Sequence, residues 1–460
     1  MNTRFIVHSV LACASLACFN ASAADLKEVY ERALTNDPLI READANRLAT
    51  RESKPQAIAA LLPQVNADGT WNDKVDTNST GVFVAPGVPL TPDTRNFDGD
   101  SSNWNLQLRQ SVFRWENYAT YQRSNTERAQ AEADYVVAQQ DLILRTAEAY
   151  FNVLAARDTL EAAQAAYDAI GRQLEQSEKR FEVGLIAVTD VQDAKAAFDS
   201  ASAALIQGKR NLANNGEILR ELTGDAWDTL EKPGNDMPLH APNPENPDDW
   251  VKLAMDQNPS LNSSRLAAEI TRANINVERG GHFPAVDFVV NRNHSESDGS
   301  LNGTTVGDTS SNDYGTVYGL QVTVPIFSGG LTSSRVRQAQ YRHTAARERL
   351  ERTARATERS TRDAFLGVNS EMARVQSLKQ AVESAQTALA ATEAGYEVGT
   401  RTSIDVLQAR QRLFQSQTDY ARSRYDYLLN VLRLQQAAGT LDAKGLDDIN
   451  ALLSENVGVR

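Results

Sequence analysis

The chain has 460 residues, with 47 Lys and Arg against 60 Asp and Glu and a formal net charge of −13. That excess of acid opposes a nucleic-acid partner, whose phosphates recruit cations. Two cysteines and five histidines, none at ligand spacing, leave no metal centre, no cofactor site and no nucleophile, base and acid constellation, so an enzyme is not expected.

Residues 1–23 read as a signal peptide: Arg4 near the start, an apolar run over 5–19, then Ala21-Ser22-Ala23 as the small-x-small cleavage pattern. Both cysteines, Cys13 and Cys18, lie in that leader, and neither follows a good lipobox, since Ser15 stands three residues before Cys18 and Leu11 two before Cys13. The mature chain, expected from Ala24, carries a charge of about −14, four scattered histidines (His240, His282, His294, His343) and no disulfide. No later segment approaches the roughly 20 apolar residues of a spanning helix. After export it is either soluble in the periplasm or enters a membrane as strands.

The mature sequence is a duplication. NDP at 36–38 matches QNP at 257–259, Leu62-Pro63 matches Phe283-Pro284, Leu106-Gln107 matches Leu320-Gln321, Val112-Phe113 matches Ile326-Phe327, and Ala149-Tyr150 matches Ala364-Phe365. The offsets stay between 214 and 221, which gives repeat 1 over 24–231 and repeat 2 over 249–440. Between them, 232–248 holds five prolines and reads as an extended linker. A C-terminal tail occupies 441–460.

Each repeat opens with a short helical pattern, 38–61 in the first, and continues into alternating segments. Strands are predicted at about 64–75 and 102–113, then at about 285–294 and 314–327. In 103–113 the residues Trp104, Leu106, Leu108 and Val112 share one face, while Asn105, Gln107, Arg109 and Ser111 share the other. Polar Gly/Asp/Ser/Thr-rich segments, 76–100 and about 295–313, read as loops. Segments near ten residues joined on one side by long polar loops have the form of outer-membrane strands. Two half-buried hairpins of a soluble domain would alternate as well. Four strands cannot close a barrel, since the smallest has eight, so insertion requires oligomerisation.

From about 117 to 182 the chain lacks proline and is rich in Ala, Gln and Glu, roughly 65 residues or about 100 Å of helix. The helix after it carries Phe198, Leu205, Leu212 and Leu219, and its counterpart carries Leu413, Tyr420, Tyr427 and Leu434, each series seven apart as in a coiled coil. Between outgoing and returning helices stand FEVGLIAVTDV (181–191) and YEVGTRTSIDV (396–406), tips at about 182–190 and 397–405. Gly184 and Gly399 are the expected helix stops. Thr189-x-x-Gln192 is a capping-box pattern for the first restart, and Thr402 or Ser403 can cap the second. Asp190 and Asp405 fall in first turns, where a carboxylate favours the helix dipole by a few tenths to about 1 kcal/mol.

NDP (36–38), LLPQV (61–65), NLQL (105–108), SVF (111–113) and the pair RFEVGLIAVTDV (180–191) and GYEVGTRTSIDVLQA (395–409) together make the chain resemble the TolC family of outer-membrane efflux and secretion ducts, and its TolC subgroup most. The resemblance implies a mixed fold of long α-helices plus transmembrane β-strands. It implies a homotrimer whose twelve strands form one barrel in outer-membrane lipid, continued by a periplasmic α-helical barrel and ringed by an equatorial band that includes 445–456. A periplasmic adaptor protein and an inner-membrane transporter of RND, ABC or MFS type would dock at the closed tip and open it, with no reaction and no cofactor.

Residue by residue, the resemblance assigns a latch to Tyr396 and Arg401 acting on Asp190, with Arg401 also reaching Thr189, partly across the protomer boundary. Exposed polar pairs are each worth about 0–1 kcal/mol, so several per trimer suit a latch that a partner can release. Gly184, Leu185, Gly399 and Thr400 are the implied tip and adaptor contacts. Asp405 resembles a constriction carboxylate, threefold repeated into a cation-binding ring whose mutual repulsion would raise some of its pKa values. The family's second ring acid is replaced here by Gln408, while Asp193, its counterpart in the first repeat, is the other candidate. A soluble periplasmic coiled-coil scaffold and a passive porin are the alternatives, separable by fractionation and by the helical content.

Overall fold

A computed structural model describes residues 24–83, 91–234, 237–303 and 307–459; the expected signal peptide lies outside the described residues. Helix α1 (Leu26–Asn36) starts at Asp25, whose carboxylate accepts from the Glu28 amide at 2.7 Å, and is followed by α2 (Pro38–Arg51) and α3 (Ser53–Ala59). Strands β1 (Gln64–Phe83) and β2 (Thr91–Phe113) lead into α4 (Trp115–Glu182) and α5 (Val188–Thr223). Then come β3 (Thr229–Pro233), α6 (Pro247–Gln257) and α7 (Pro259–Arg279). The second repeat continues with β4 (Ala285–Gly303), β5 (Gly307–Thr323), α8 (Leu331–Glu397) and α9 (Ser403–Ala438). Helix α10 (Ala443–Asn450) and β6 (Leu453–Gly458) end the chain.

Two compact units emerge, and each draws on both repeats. The first spans 42–138 and 253–359 and contains the large sheet; the second is formed by the chain up to 41, 139–252 and 360 onward.

In the sheet unit the strand order is β1-β2-β4-β5, antiparallel throughout, so β2 and β4 join the two repeats and β1 and β5 are the outer strands. Register places Val65, Leu108, Val290 and Tyr318 in one row across the sheet, and Ala67, Leu106, Arg292 and Thr316 in the next. This face is apolar yet exposed, Tyr318 at 77% and Leu320 at 68%. The opposite face carries Asn66, Asn105, Gln107, Asn291 and Gln321. On it Arg109 on β2 and Arg114 just beyond donate to the buried Asp287 of β4, at 2.5 and 2.9 Å. At the helix end, Trp115 packs against Phe283 and Tyr118, with ring centroids 5.5 and 5.9 Å away.

The segments 76–100 and 295–313 are not loops over most of their length. Strands β1 and β2 pair through to Phe83 and Thr91, and β4 and β5 through to Leu301 and Gly307. Backbone hydrogen bonds carry the ladder there, while both faces are polar, so the alternation that reports a strand in sequence is missing. In contrast, β5 stops at Thr323 and not near 327. Pro325 cannot donate to a ladder, and Gly329 and Gly330 then take φ of +62° and +82°.

In the second unit the seven-residue spacing is a packed seam: Leu205, Leu212 and Leu219 of α5 are buried, and so are the small Ala194, Ala201 and Gly208, themselves seven apart. A Cβ on Gly208 would stand 3.4 Å from Leu160, at ordinary contact distance, so α5 lies close against α4 at this point. On α9, Leu413, Tyr427 and Leu434 are buried likewise. Phe151 stacks on Tyr425 at 5.7 Å and meets Tyr150 edge-on at 5.5 Å. Tyr150 donates to the Glu231 carbonyl and Tyr425 to the Asp158 carboxylate, both at 2.6 Å, and burial pushes both phenols upward. Strand β3 pairs with β6, which folds the C-terminal tail back, and the backbone of His240 in the proline-rich connection exchanges hydrogen bonds with the Tyr427 hydroxyl.

Candidate gate at the two helical turns

Both turns stop their first helix in the same way. Gly184 at φ +72° follows α4, and the Leu185 amide reaches back to the Arg180 carbonyl at 2.8 Å; Gly399 at φ +79° follows α8, and the Thr400 amide reaches Gly395 at 2.8 Å. This left-handed closure with a six-to-one hydrogen bond satisfies carbonyls the helix end leaves open. Apolar side chains then stand in solvent around each tip: Val183, Leu185 and Val188 on one, Val398 and Ile404 on the other.

The restarts differ. Thr402 is the N-cap of α9, its hydroxyl accepting from the Asp405 amide at 3.2 Å, while its own amide donates to Asp405 Oδ2 at 2.9 Å, a reciprocal capping box. At the matching point of the first copy stands Ala187, which offers no side-chain cap. Thr189 therefore does not cap α5. The glycine closure fixes how many residues separate the two helices, and it puts Thr189 already inside the second one.

Hydrogen bonds from the Thr402 amide and hydroxyl, then the charges of Arg401 and Arg412, hold the Asp405 carboxyl below the usual carboxylate range. Within one chain the shift is thus opposite to the rise expected from a ring. Gln408 is exposed and accepts from Arg412 at 3.5 Å, and Asp193 is exposed one helical hairpin away.

Tyr396 is half-buried beneath the Arg180 guanidinium, 4.9 Å from its ring centre, and its hydroxyl has no partner among the described residues. Arg401 is exposed; its Cγ lies 2.8 Å from where a Cβ on Gly395 would stand. Among the described residues of one chain, no hydrogen bond or ion pair joins Tyr396 or Arg401 to Thr189 or Asp190. Near the turns the two hairpins meet instead through residues that the motifs do not single out: Arg180 lies over Tyr396, and Arg410 of α9 donates to the Ala169 carbonyl of α4 at 3.0 Å while held by Glu393 of α8 at 2.8 Å. One signal was available: Arg180 and Gly395 occupy matching positions in the two copies, so the first copy has a long cation where the second leaves room for Arg401.

The family model described as outer membrane efflux protein matches residues 29–225 and 250–440. The outer membrane protein TolC of Vibrio cholerae is 34% identical over 435 residues, 93% of this chain and 94% of its own length. Its namesake in Escherichia coli strain K12 is 35% identical over 456 residues, 96% of this chain and 88% of its own. The Campylobacter jejuni CmeC outer membrane channel superimposes with a TM-score of 0.70 at 17% identity, covering 99% of this chain and 98% of that one, which is a likeness of fold.

Proposed function

We propose, from the fact that this chain belongs to the outer membrane efflux protein family, that it works as a homotrimeric duct opened at its helical tips. It is an outer-membrane protein serving efflux and secretion, in a family of channels. One observation carries the assembly: a four-stranded sheet with an exposed apolar face ends in two outer strands, β1 and β5, so two copies with eight strands or three with twelve are the small closed solutions, and the family resemblance favours three. Unpaired ladder groups cannot face hydrocarbon, so β5 of one copy must pair with β1 of the next until the sheet closes. Three copies supply twelve strands, with the polar face of Asn105, Gln107 and Arg109 lining the lumen.

In this reading residues 1–23 are the signal peptide, the two repeats build the wall, and the proline-rich connection with 441–460 forms an equatorial band. The glycine-closed turns, with Leu185 and Thr400 at their ends, receive a periplasmic adaptor, and an inner-membrane transporter of RND, ABC or MFS type supplies the energy. Tyr396 and Arg401 latch the inner hairpin against Thr189 and Asp190 of a neighbour, a role that fits the partnerless Tyr396 hydroxyl. Asp405, with Asp193 as the second candidate, sets the charge of the constriction. Fractionation and sizing in detergent test the assembly: a trimer from the membrane fraction is expected, and a monomer in the soluble fraction would refute it.

A further inference from the structure

The exposed face of the sheet is mainly apolar for three rows from the helix end, Val286 with Val322, Phe288 with Leu320 and Gln110, and Val290 with Leu108 and Tyr318; the one polar side chain there, Gln110, is satisfied by the Leu61 carbonyl. The fourth row breaks the pattern. Arg292 projects from β4 between Leu106 of β2 and Thr316 of β5, exposed and with no hydrogen bond or ion pair among the described residues. Directly beyond it lies a row of aromatic rings: His294, 8% exposed, is stacked on Tyr314 at 4.3 Å and tilted against Trp104 at 5.7 Å. Trp71 follows on β1, on the same face and exposed.

A lone guanidinium facing hydrocarbon at mid-depth costs about 2–4 kcal/mol, falling to about 0–1 near the interface. Trp and Tyr settle at that interface. The rings beside Arg292 therefore fix its depth at the edge of the apolar band, where lipid headgroups lie, on the side away from the helices. Its anionic partner does not come from the chain. Glu296 lies beside His294 at 3.8 Å, about 13 Å along the strand from Arg292, and Asp100 and Asp298 stand about 20 Å along it, in the polar part of the sheet.

Resting on the outer-membrane reading above, we propose that Arg292, framed by His294, Trp104 and Tyr314, docks the phosphate-monoester headgroup of a lipid in the leaflet farther from the helices. The planar fork of arginine matches phosphate oxygens, and the indole and phenol rings cover the adjoining acyl or sugar surface.

The test is retention of lipid by the full-length protein recovered from phosphatidylcholine vesicles doped with phosphatidic acid, read by native mass spectrometry, with channel conductance recorded from the same vesicles. Wild type should keep phosphatidic acid in preference to phosphatidylcholine. Arg292→Gln should lose about tenfold in that preference, Arg292→Lys should keep part of it, and Lys74→Gln, an equal charge change elsewhere on the sheet, should keep all of it. Equal retention by wild type and Arg292→Gln with normal conductance would overturn the lipid site and leave the duct standing. Complete displacement by inorganic phosphate would overturn the lipid as the occupant. Failure of wild type to insert or conduct would overturn both readings together.

Discussion

Replacing Arg180 by Gln removes the cation that covers Tyr396 while keeping a polar side chain of similar reach. A guanidinium 4.9 Å from a half-exposed ring contributes about 1 kcal/mol. Three copies in a trimer then hold the closed tip by about 3 kcal/mol if the hairpins move together, and by about 1 kcal/mol each if they move singly. With each 1.4 kcal/mol equal to a tenfold change, the open-state population should rise roughly a hundredfold in the concerted case and about fivefold in the independent one. Single-channel recording in planar bilayers measures this directly as the fraction of time spent above the resting conductance. Tyr396→Phe is the informative companion, because it keeps the ring under Arg180 and deletes only the hydroxyl, which has no partner within the chain. Opening by both variants assigns the latch to both contacts. Unchanged dwell times in Arg180→Gln would refute the claim that this stacking holds the tip shut.

Three further outcomes are expected. Thr402→Ala should cost the α9 start about 1 kcal/mol, and Ala187→Ser should add a similar amount to α5, both read as faster or slower amide exchange in the first turns. Because the Asp405 carboxyl is held below its ordinary range, its capping contribution is full above the unfolded value near 4 and is lost as pH falls through the lower folded value; exchange at 402–405 should accelerate on acidification, and Asp405→Asn should abolish that dependence. Asp287→Ala should lower the heat resistance of the detergent-purified assembly by about 2–4 kcal/mol per chain, since three charge-assisted hydrogen bonds from Arg109 and Arg114 to β4 disappear and those half-exposed arginines recover part of the loss from water; an unchanged melting curve would place the joint between the repeats elsewhere.

Periodicity carried the helices well, because a sequence 68 residues long without proline has few other conformations available and its buried stripe repeats visibly. Glycine at 184 and 399 was equally legible, since a positive φ is costly for other residues. Where chemistry on one face was uniform, the signal vanished: the upper halves of β1, β2, β4 and β5 alternate nothing, and only backbone pairing extends them. The capping of α5 is hidden from the sequence for a related reason. Thr189 has the right side chain, but its position relative to Gly184 decides whether it precedes or enters the helix, and spacing set by turn geometry is invisible in a capping-box pattern.

From the residues alone came the duplication, the long helices and the two glycine-closed turns, because composition and period are local properties. Tertiary structure decided which side chains meet: β2 against β4 as the joint between repeats, Asp287 under two arginines, Arg180 over Tyr396, and Arg292 beside the row of His294, Trp104 and Tyr314. Those depend on register and on contacts between residues separated by more than a hundred positions, which no local pattern encodes.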